Sequence, residues 1–272
     1  MAQKVRKAVI PAAGLGTRFY PLTRAQPKEM LPIVDKPVIH YVVEEALSAG
    51  IDEILIITGY GKDTIIDYFD YNSLDEKFQN DEIKNFPDIY FVRQKKQLGL
   101  GDALKYAKGF TEDKPFLVLL GDTIYESKTE KSASKQLIEK YEMINKPLMI
   151  VESVPENKIK DYGIIGYTYE KDGFYKIESV IEKPEIKDAP SDLGITGLYI
   201  FESDIYNYLE KIRTGKNNEY QLADALNLFV KEKELFGTKI DAVRYDIGTK
   251  ELWFETFVEF LKKDKRFAKI FK

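Results

Sequence analysis

Cysteine is absent from the chain, and histidine occurs once, at His40. The first absence removes disulfides, thiolate nucleophiles and cysteine-ligated zinc. The second means that a Ser-His-Asp triad, a histidine-ligated metal or a nucleotidylated histidine would have to use His40. That residue lies in the apolar-periodic segment VIHYVVEEAL, where it reads as a plain helix-surface residue with a structural role. No apolar run is long enough to span a bilayer. The apolar part of the N-terminus is too short for a secretory signal. Both point to a cytoplasmic protein with no membrane partner. A basic excess is missing as well: 41 Lys and Arg against 45 Asp and Glu leave a net charge of −4. Large nucleic acid is therefore not an expected partner. The chemistry is left to lysine, arginine and carboxylates, with any metal held by oxygen ligands.

What is present reads as one globular domain over residues 1–272, with a first half to about 152 and a second from about 153. In the first half, short apolar strands alternate with helices. Strands are expected at Val5–Ile10, Glu53–Thr58, Ile89–Val92, Phe116–Leu120 and Leu148–Val151. Helices are expected at Val38–Ala49, Thr64–Phe69, Asp102–Lys108 and Lys131–Ile144. That order implies an α/β fold of Rossmann-like type, with a mostly parallel central sheet flanked by helices. In the second half, Gly163–Tyr169, Phe174–Glu182 and Gly194–Phe201 are strands without intervening helices, which suggests a small antiparallel extension. Helices at Ser203–Lys211 and Glu219–Val230, a strand at Lys239–Val243 and a helix at Lys250–Lys263 follow. Asn72–Pro87 is polar and reads as a mobile excursion.

The strongest local signal is AVIPAAGLGTRFYPLTRAQPKEMLPI, Ala8 to Ile33. A buried strand runs into Ala12, Ala13, Gly14, Leu15, Gly16, Thr17 and Arg18. Small residues at the carboxyl end of a strand let a ligand approach the backbone, and successive free N–H groups there cradle an anion. A dinucleotide fingerprint would need glycine where Phe19 stands, and the Gly-Lys-Ser/Thr of a P-loop is absent. Arg18 and Lys28 instead supply a forked and a point cation suited to a polyphosphate. Pro21, Pro27 and Pro32 stiffen the segment.

G-x-G-T-R followed by P-K-E-M-L-P resembles the signature of the sugar-1-phosphate nucleotidylyltransferases. The wording P-K-E-M-L-P-I-V-D-K-P is similar to their bacterial-type uridylyltransferase branch. Later segments agree in order. Gln94 to Ala103 resembles the family's base-recognition loop, which implies that Gln94 bonds the pyrimidine edge and the Gly99 backbone lies against the base. Leu119-Leu120-Gly121-Asp122 resembles the strand end whose aspartate binds catalytic Mg²⁺. Asp161-Tyr162-Gly163, Glu182-Lys183-Pro184 and Thr196-Gly197 resemble the sugar-phosphate site, and Tyr245-Asp246-Ile247-Gly248 a late turn that makes Asp246 a second candidate metal ligand. Asn218 to Ala225 resembles a helix read as mainly structural. The chain departs from the family's usual residues at Thr123, Leu198 and Asn218.

The resemblance implies the nucleotide-diphospho-sugar transferase fold. It also implies transfer of a uridylyl group from UTP to α-D-glucose 1-phosphate, assisted by Mg²⁺, in a homodimer or homotetramer. The nucleotide site implied is Ala12, Ala13, Gly14, Gly16, Thr17, Arg18, Gln94, Gly99 and Asp122. The sugar-phosphate site is Lys28, Gly163, Glu182, Lys183 and Gly197. Arg18, Lys28 and Lys183 carry the catalysis, and the metal ligands are Asp122 and Asp246. Because the attacker is already a phosphate oxygen, direct displacement without a covalent intermediate is expected. Thymidylyl transfer from dTTP, another sugar phosphate, or a non-catalytic nucleotide-sugar sensor are the alternatives. Uracil and thymine differ by one methyl group, which motifs discriminate poorly. Trp253, Phe254, Phe257 and Phe260 serve either an interface or the chain's own core.

Overall fold

The computed structural model describes residues 4–70, 86–215 and 218–271. The segment expected to be a mobile excursion lies outside the described residues, apart from Phe86 and Pro87. Thirteen strands form among the described residues: β1 (Lys7–Pro11), β2 (Pro32–Ile33), β3 (Lys36–Pro37), β4 (Glu53–Thr58), β5 (Asp88–Arg93), β6 (Phe116–Leu119), β7 (Thr123–Ser127), β8 (Leu148–Ser153), β9 (Gly163–Lys171), β10 (Phe174–Glu182), β11 (Leu193–Phe201), β12 (Phe236–Thr238) and β13 (Ala242–Asp246). The α-helices among the described residues are α1 (Val38–Ser48), α2 (Asp63–Phe69), α3 (Leu100–Lys105), α4 (Lys108–Thr111), α5 (Ala133–Ile144), α6 (Ile205–Leu209), α7 (Leu222–Phe229) and α8 (Lys250–Lys263).

Nine strands make one sheet in the order β5-β4-β1-β6-β11-β8-β12-β10-β9. The β5-β4-β1-β6 half is parallel throughout. β1, β4 and β6 are apolar with little alternation because both of their faces are covered, whereas β5, at the edge, is partly exposed. Alternate residues feed two cores. Val9, Leu55, Ile57, Phe116 and Val118 pack with α3, α6 and α7 on one face. Ala8, Ile10, Ile54, Ile56, Leu117 and Leu119 pack with α1, α2 and α5 on the other. The result is a sheet between two helical layers. The antiparallel strands do not all lie at its margin. β9 and β10 form one edge, but β11 is inserted between β6 and β8, antiparallel to both.

Two further differences from the sequence-based expectation have local causes. The strand expected at Lys239–Val243 does not form as such: residues 239–241 separate β12, in the main sheet, from β13, which pairs separately with β7. The break falls at Asp241, whose N–H bonds Gln136 Oε1 at 2.9 Å and whose carbonyl accepts from the Lys128 N–H at 3.0 Å. His40 is not on the surface. It is buried at 1% exposure, with Nδ1 2.8 Å from Tyr68 Oη and Nε2 3.1 Å from Glu44. The face of α1 that carries it is covered by α2 and by Phe86, whose ring lies 5.1 Å from the imidazole.

The C-terminal helix α8 covers a third, smaller core. Trp253, Phe257 and Phe260 pack against Phe19, Ile33, Ile124, Tyr245 and Ile247. The Trp253 indole N–H donates to the Pro32 carbonyl at 3.0 Å. Phe254 points away from this core and is exposed. No helix among the described residues is long and apolar enough to cross a membrane.

Candidate functional site

A cleft of about 560 Å³ opens at the carboxyl ends of the parallel strands, where open α/β sheets bind ligands. Each wall follows from where a strand stops. The loop after β1 supplies Ala13, Gly14, Gly16, Thr17 and Arg18, and the residue after β5 is Gln94. The turn between β6 and β7 presents Asp122. Gly163 opens β9, Glu182 closes β10, and Lys183 follows it. Lys28, Gly99, Gly197 and Asp246 complete the set of expected residues that line the cleft.

Ala12 is the exception among the expected residues. Its N–H donates to the Ile57 carbonyl at 2.8 Å and its methyl group is packed in the core, so it presents no group to the cleft. In contrast, among the described residues no acceptor bonds the N–H groups of Gly14, Leu15, Gly16 or Thr17. These point out of a loop that is otherwise tied down, with the Thr23 hydroxyl donating to the Gly16 carbonyl at 3.0 Å.

The cations and carboxylates are arranged around Asp122. The Lys28 ammonium hydrogen-bonds the Asp122 carboxylate. Burial opposes both charges, but Asp122 and Glu29 hold Lys28 above its ordinary value, while Lys28 and Arg18 hold Asp122 below its own. Asp246 is delivered to the same place by the β7–β13 ladder, in which it pairs with Thr123, and by the Ile247 N–H, which donates to the Asp122 carbonyl at 2.8 Å. Burial and then the neighbouring charge of Asp122 push the Asp246 carboxyl above its ordinary value. Two crowded carboxylates at strand ends, with Arg18 and Lys28 beside them, are oxygen donors suited to Mg²⁺. That ion takes one or two protein carboxylates and leaves its other positions to phosphates and water. Among the described residues no group of three or more histidines and carboxylates gathers into an all-protein metal cage.

Behind Lys28 lies a second ion pair. Glu29 Oε2 is 2.5 Å from Lys62 Nζ, and the two side chains are 2% and 5% exposed. Glu29 belongs to the 3-10 turn Lys28–Met30, so the pair fixes the backbone from which Lys28 reaches the cleft.

Close approach requires glycine at Gly99 and Gly197. Gly99 has φ +95°, and a Cβ there would lie 2.9 Å from both the Tyr220 carbonyl and Glu219 Cβ. Gly197 has φ +92° and would meet Leu120 Cδ1 at 2.7 Å, where the pairing of β11 with β8 changes register. The segment 219–221, expected to be helical, is instead docked on the Gly99 loop. Tyr220 N–H donates to the Leu98 carbonyl at 2.7 Å and Gly101 N–H to the Tyr220 carbonyl at 2.9 Å. The Gly101 N–H is therefore spent within the protein and cannot hold an anion. The helix proper begins at Leu222.

Two residues of the cleft wall escaped the sequence reading. Arg244, with a side chain only 10% exposed, donates from Nη2 to Tyr162 Oη at 2.7 Å and lies 3.3 Å from Glu152 and 3.4 Å from Asp246. Burial works against its charge, yet Glu152, Tyr162 and Asp246 hold it above its ordinary value. The available signal was strand alternation, which puts Arg244 and Asp246 on one face of β13; the misplaced strand concealed it. Gln97 donates from Nε2 to the Ala13 carbonyl at 2.6 Å, tying the loop after β5 to the glycine loop. Nothing in its local sequence marked that contact.

A mixed α/β fold with a cation-lined cleft of about 560 Å³ at its strand ends is suited to handling a nucleotide, and residues 7–263 match the nucleotidyl transferase family. The chain belongs to that family. It is 44% identical to the UTP–glucose-1-phosphate uridylyltransferase of Streptococcus pneumoniae serotype 4, over 97% of this chain and 92% of that protein. It is 43% identical to the enzyme of the same name from Bacillus subtilis, over 97% and 93%. Its fold superposes on a UDP-glucose pyrophosphorylase crystallised with UDP-glucose at a TM-score of 0.90, with 38% identity over 96% of this chain and 100% of that one.

Proposed function

We propose that the chain is a UTP–glucose-1-phosphate uridylyltransferase of the cytoplasm, joining UTP and α-D-glucose 1-phosphate to give UDP-glucose and pyrophosphate. The observation that carries this reading is the convergence in one cleft of three groups. These are the glycine loop with Arg18, the Lys28–Asp122 pair, and Glu182–Lys183. The two relatives named above act, by their names, as UTP–glucose-1-phosphate uridylyltransferases, which supports UTP and glucose 1-phosphate as the substrates.

In this reading the free N–H groups of Gly14 to Thr17 and the Arg18 guanidinium hold the triphosphate. Gln94 and the Gly99 backbone receive the base. Gly163, Gly197 and Glu182 line the sugar pocket, and Lys28 and Lys183 steady its phosphate. An oxygen of the sugar phosphate attacks the α-phosphorus of the nucleotide. The bond from that phosphorus to the bridging oxygen breaks, and pyrophosphate leaves with the electron pair. No side-chain base is needed, because the attacker is already an anion. The barrier is the approach of two polyanions, and it is lowered by cations fixed before the substrates arrive. Asp122 and Asp246 would hold Mg²⁺, which when bound would supply positive charge to offset that of the phosphates. Assembly as a homodimer or homotetramer belongs to the same proposal, with exposed Phe254 as a contact, and sedimentation equilibrium tests it.

Pyrophosphate release measured with UTP, dTTP and CTP, each with glucose 1-phosphate and with or without Mg²⁺, tests the reaction. Turnover is expected with UTP and Mg²⁺, and its absence with every nucleotide would leave a sensor as the better reading. Asp122→Asn is expected to lower turnover by about 10²–10³-fold, the scale of removing a fixed electrostatic group from a reacting centre. Trapping a nucleotidylated protein would sink the single-step mechanism.

A further inference from the structure

Gln94 is 3% exposed, and its amide is held in one of its two orientations. Its Nε2 lies 2.7 Å from Asp102 Oδ2 and 3.3 Å from the Gly99 carbonyl oxygen. A carboxylate and a backbone carbonyl only accept hydrogen bonds, so both N–H bonds of the amide are committed to them. Turning the amide over would set Oε1 against two acceptor oxygens and would lose both bonds. The backbone cannot readjust to relieve this, because the Gln94 N–H is bonded to the Thr58 carbonyl at 2.8 Å. Among the described residues no donor bonds Oε1. Gln94 lines the cleft, and Asp102 is not among the residues that do.

We infer that Asp102 is a positioning residue for base selection: it locks the Gln94 amide so that the cleft meets an acceptor oxygen, and the site therefore takes a pyrimidine bearing an N3–H and rejects cytosine. This rests on the reading that Gln94 meets the base edge. Uracil and thymine carry a hydrogen on N3, which Oε1 accepts. Cytosine carries a lone pair at N3, which would face the lone pairs of Oε1. A buried site built to receive a donor penalises an analogue that lacks it far more than it penalises a changed methyl group. The lock consequently separates UTP from CTP and is indifferent to the C5 methyl that distinguishes dTTP.

The test is kcat/KM for UTP, dTTP and CTP in the full chain and in Asp102→Asn, Asp102→Glu and Gln94→Leu. An asparagine at 102 offers an N–H as well as a carbonyl, so the Gln94 amide gains its second orientation. The UTP-to-CTP ratio is expected to fall at least tenfold in Asp102→Asn. The UTP-to-dTTP ratio and the KM for glucose 1-phosphate should stay within about twofold. Asp102→Glu, which keeps an acceptor, should retain more of the UTP-to-CTP ratio than Asp102→Asn. Circular dichroism and a melting curve confirm that each variant is folded. A folded Asp102→Asn that loses activity equally with all three nucleotides overturns the inference and leaves a structural role only. If Gln94→Leu leaves the UTP-to-CTP ratio at its wild-type value, the reading of Gln94 as a base contact fails first. That outcome is distinguishable from failure at Asp102, where Gln94→Leu would change the ratio and Asp102→Asn would not.

Discussion

Replacing Lys62 by methionine should destabilise the protein severely although residue 62 does not line the cleft. Lys62 and Glu29 are 5% and 2% exposed and 2.5 Å apart. Burial pushes the Lys62 ammonium below its ordinary value, and Glu29 draws it back up. Removing one member of such a pair leaves a buried charge without compensation, at a cost of about 3–5 kcal/mol. For a protein of this size that corresponds to a fall in melting temperature of roughly 10 °C. The stranded Glu29 carboxylate would then have Lys28 as its neighbouring cation, and Lys28 would be drawn from Asp122, so turnover should fall as well. Glu29→Met combined with Lys62→Met removes both charges and keeps the volume, and should recover most of the lost stability. Scanning calorimetry of the wild type, the single variant and the double variant reads all of this. A single variant that melts within about 1 °C of wild type, or a double variant no more stable than the single, would refute the argument from burial.

Three further outcomes follow from the same geometry. Gly99→Ala should cost about 2–4 kcal/mol, since its extended positive-φ backbone (φ 95°, ψ 176°) charges a Cβ about 1–3 kcal/mol and the contacts with Glu219 and Tyr220 add to it; denaturant titration measures the loss. Arg244→Gln leaves Glu152 and Asp246 without their shared cation and should lower kcat/KM about tenfold, the scale of one charge-assisted hydrogen bond, which steady-state kinetics will read. Glu45 accepts from the Ser134 N–H at 2.6 Å, and burial lifts its carboxyl above the ordinary value. Its folded form therefore binds a proton at higher pH than its unfolded form, and stability attributable to it falls as pH rises through that window. Melting curves should show wild type gaining on Glu45→Gln as pH is lowered from 7.5 toward 4.5; the opposite trend would mean that the Ser134 bond outweighs burial.

The parts of the site that were legible in the sequence share one property. The glycine loop, Gln94, Asp122 and Glu182–Lys183 each sit where a strand ends, so the motif and the crevice are adjacent in the chain. The parallel strands were legible for a related reason: burial on both faces writes an unbroken apolar run, as in Glu53–Thr58. The rest depends on partners far away. β7 was not expected because its pairing partner is β13, and Arg244 was missed with it. The centrality of β11 is a matter of sheet order, which apolar patterning does not encode. His40 was assigned to the surface because periodicity gives the faces of a helix but not what covers each one. The Lys62–Glu29 pair joins residues that separately look like solvated charges.

The position of β11 also sets a timetable for synthesis. Strands β5, β4, β1 and β6 can assemble as soon as Leu119 is available, but the outer edge of β6 stays unpaired until residues 193–201 arrive to fill it. At 5–20 residues per second, the roughly 80 intervening residues take about 4–16 s, during which an apolar parallel edge stands open on the nascent chain. Asp246 emerges later still, so the glycine loop after β1 exists well before the carboxylate pair opposite it is complete. Chains that stop early would therefore be prone to aggregate through β6 and would lack a finished site.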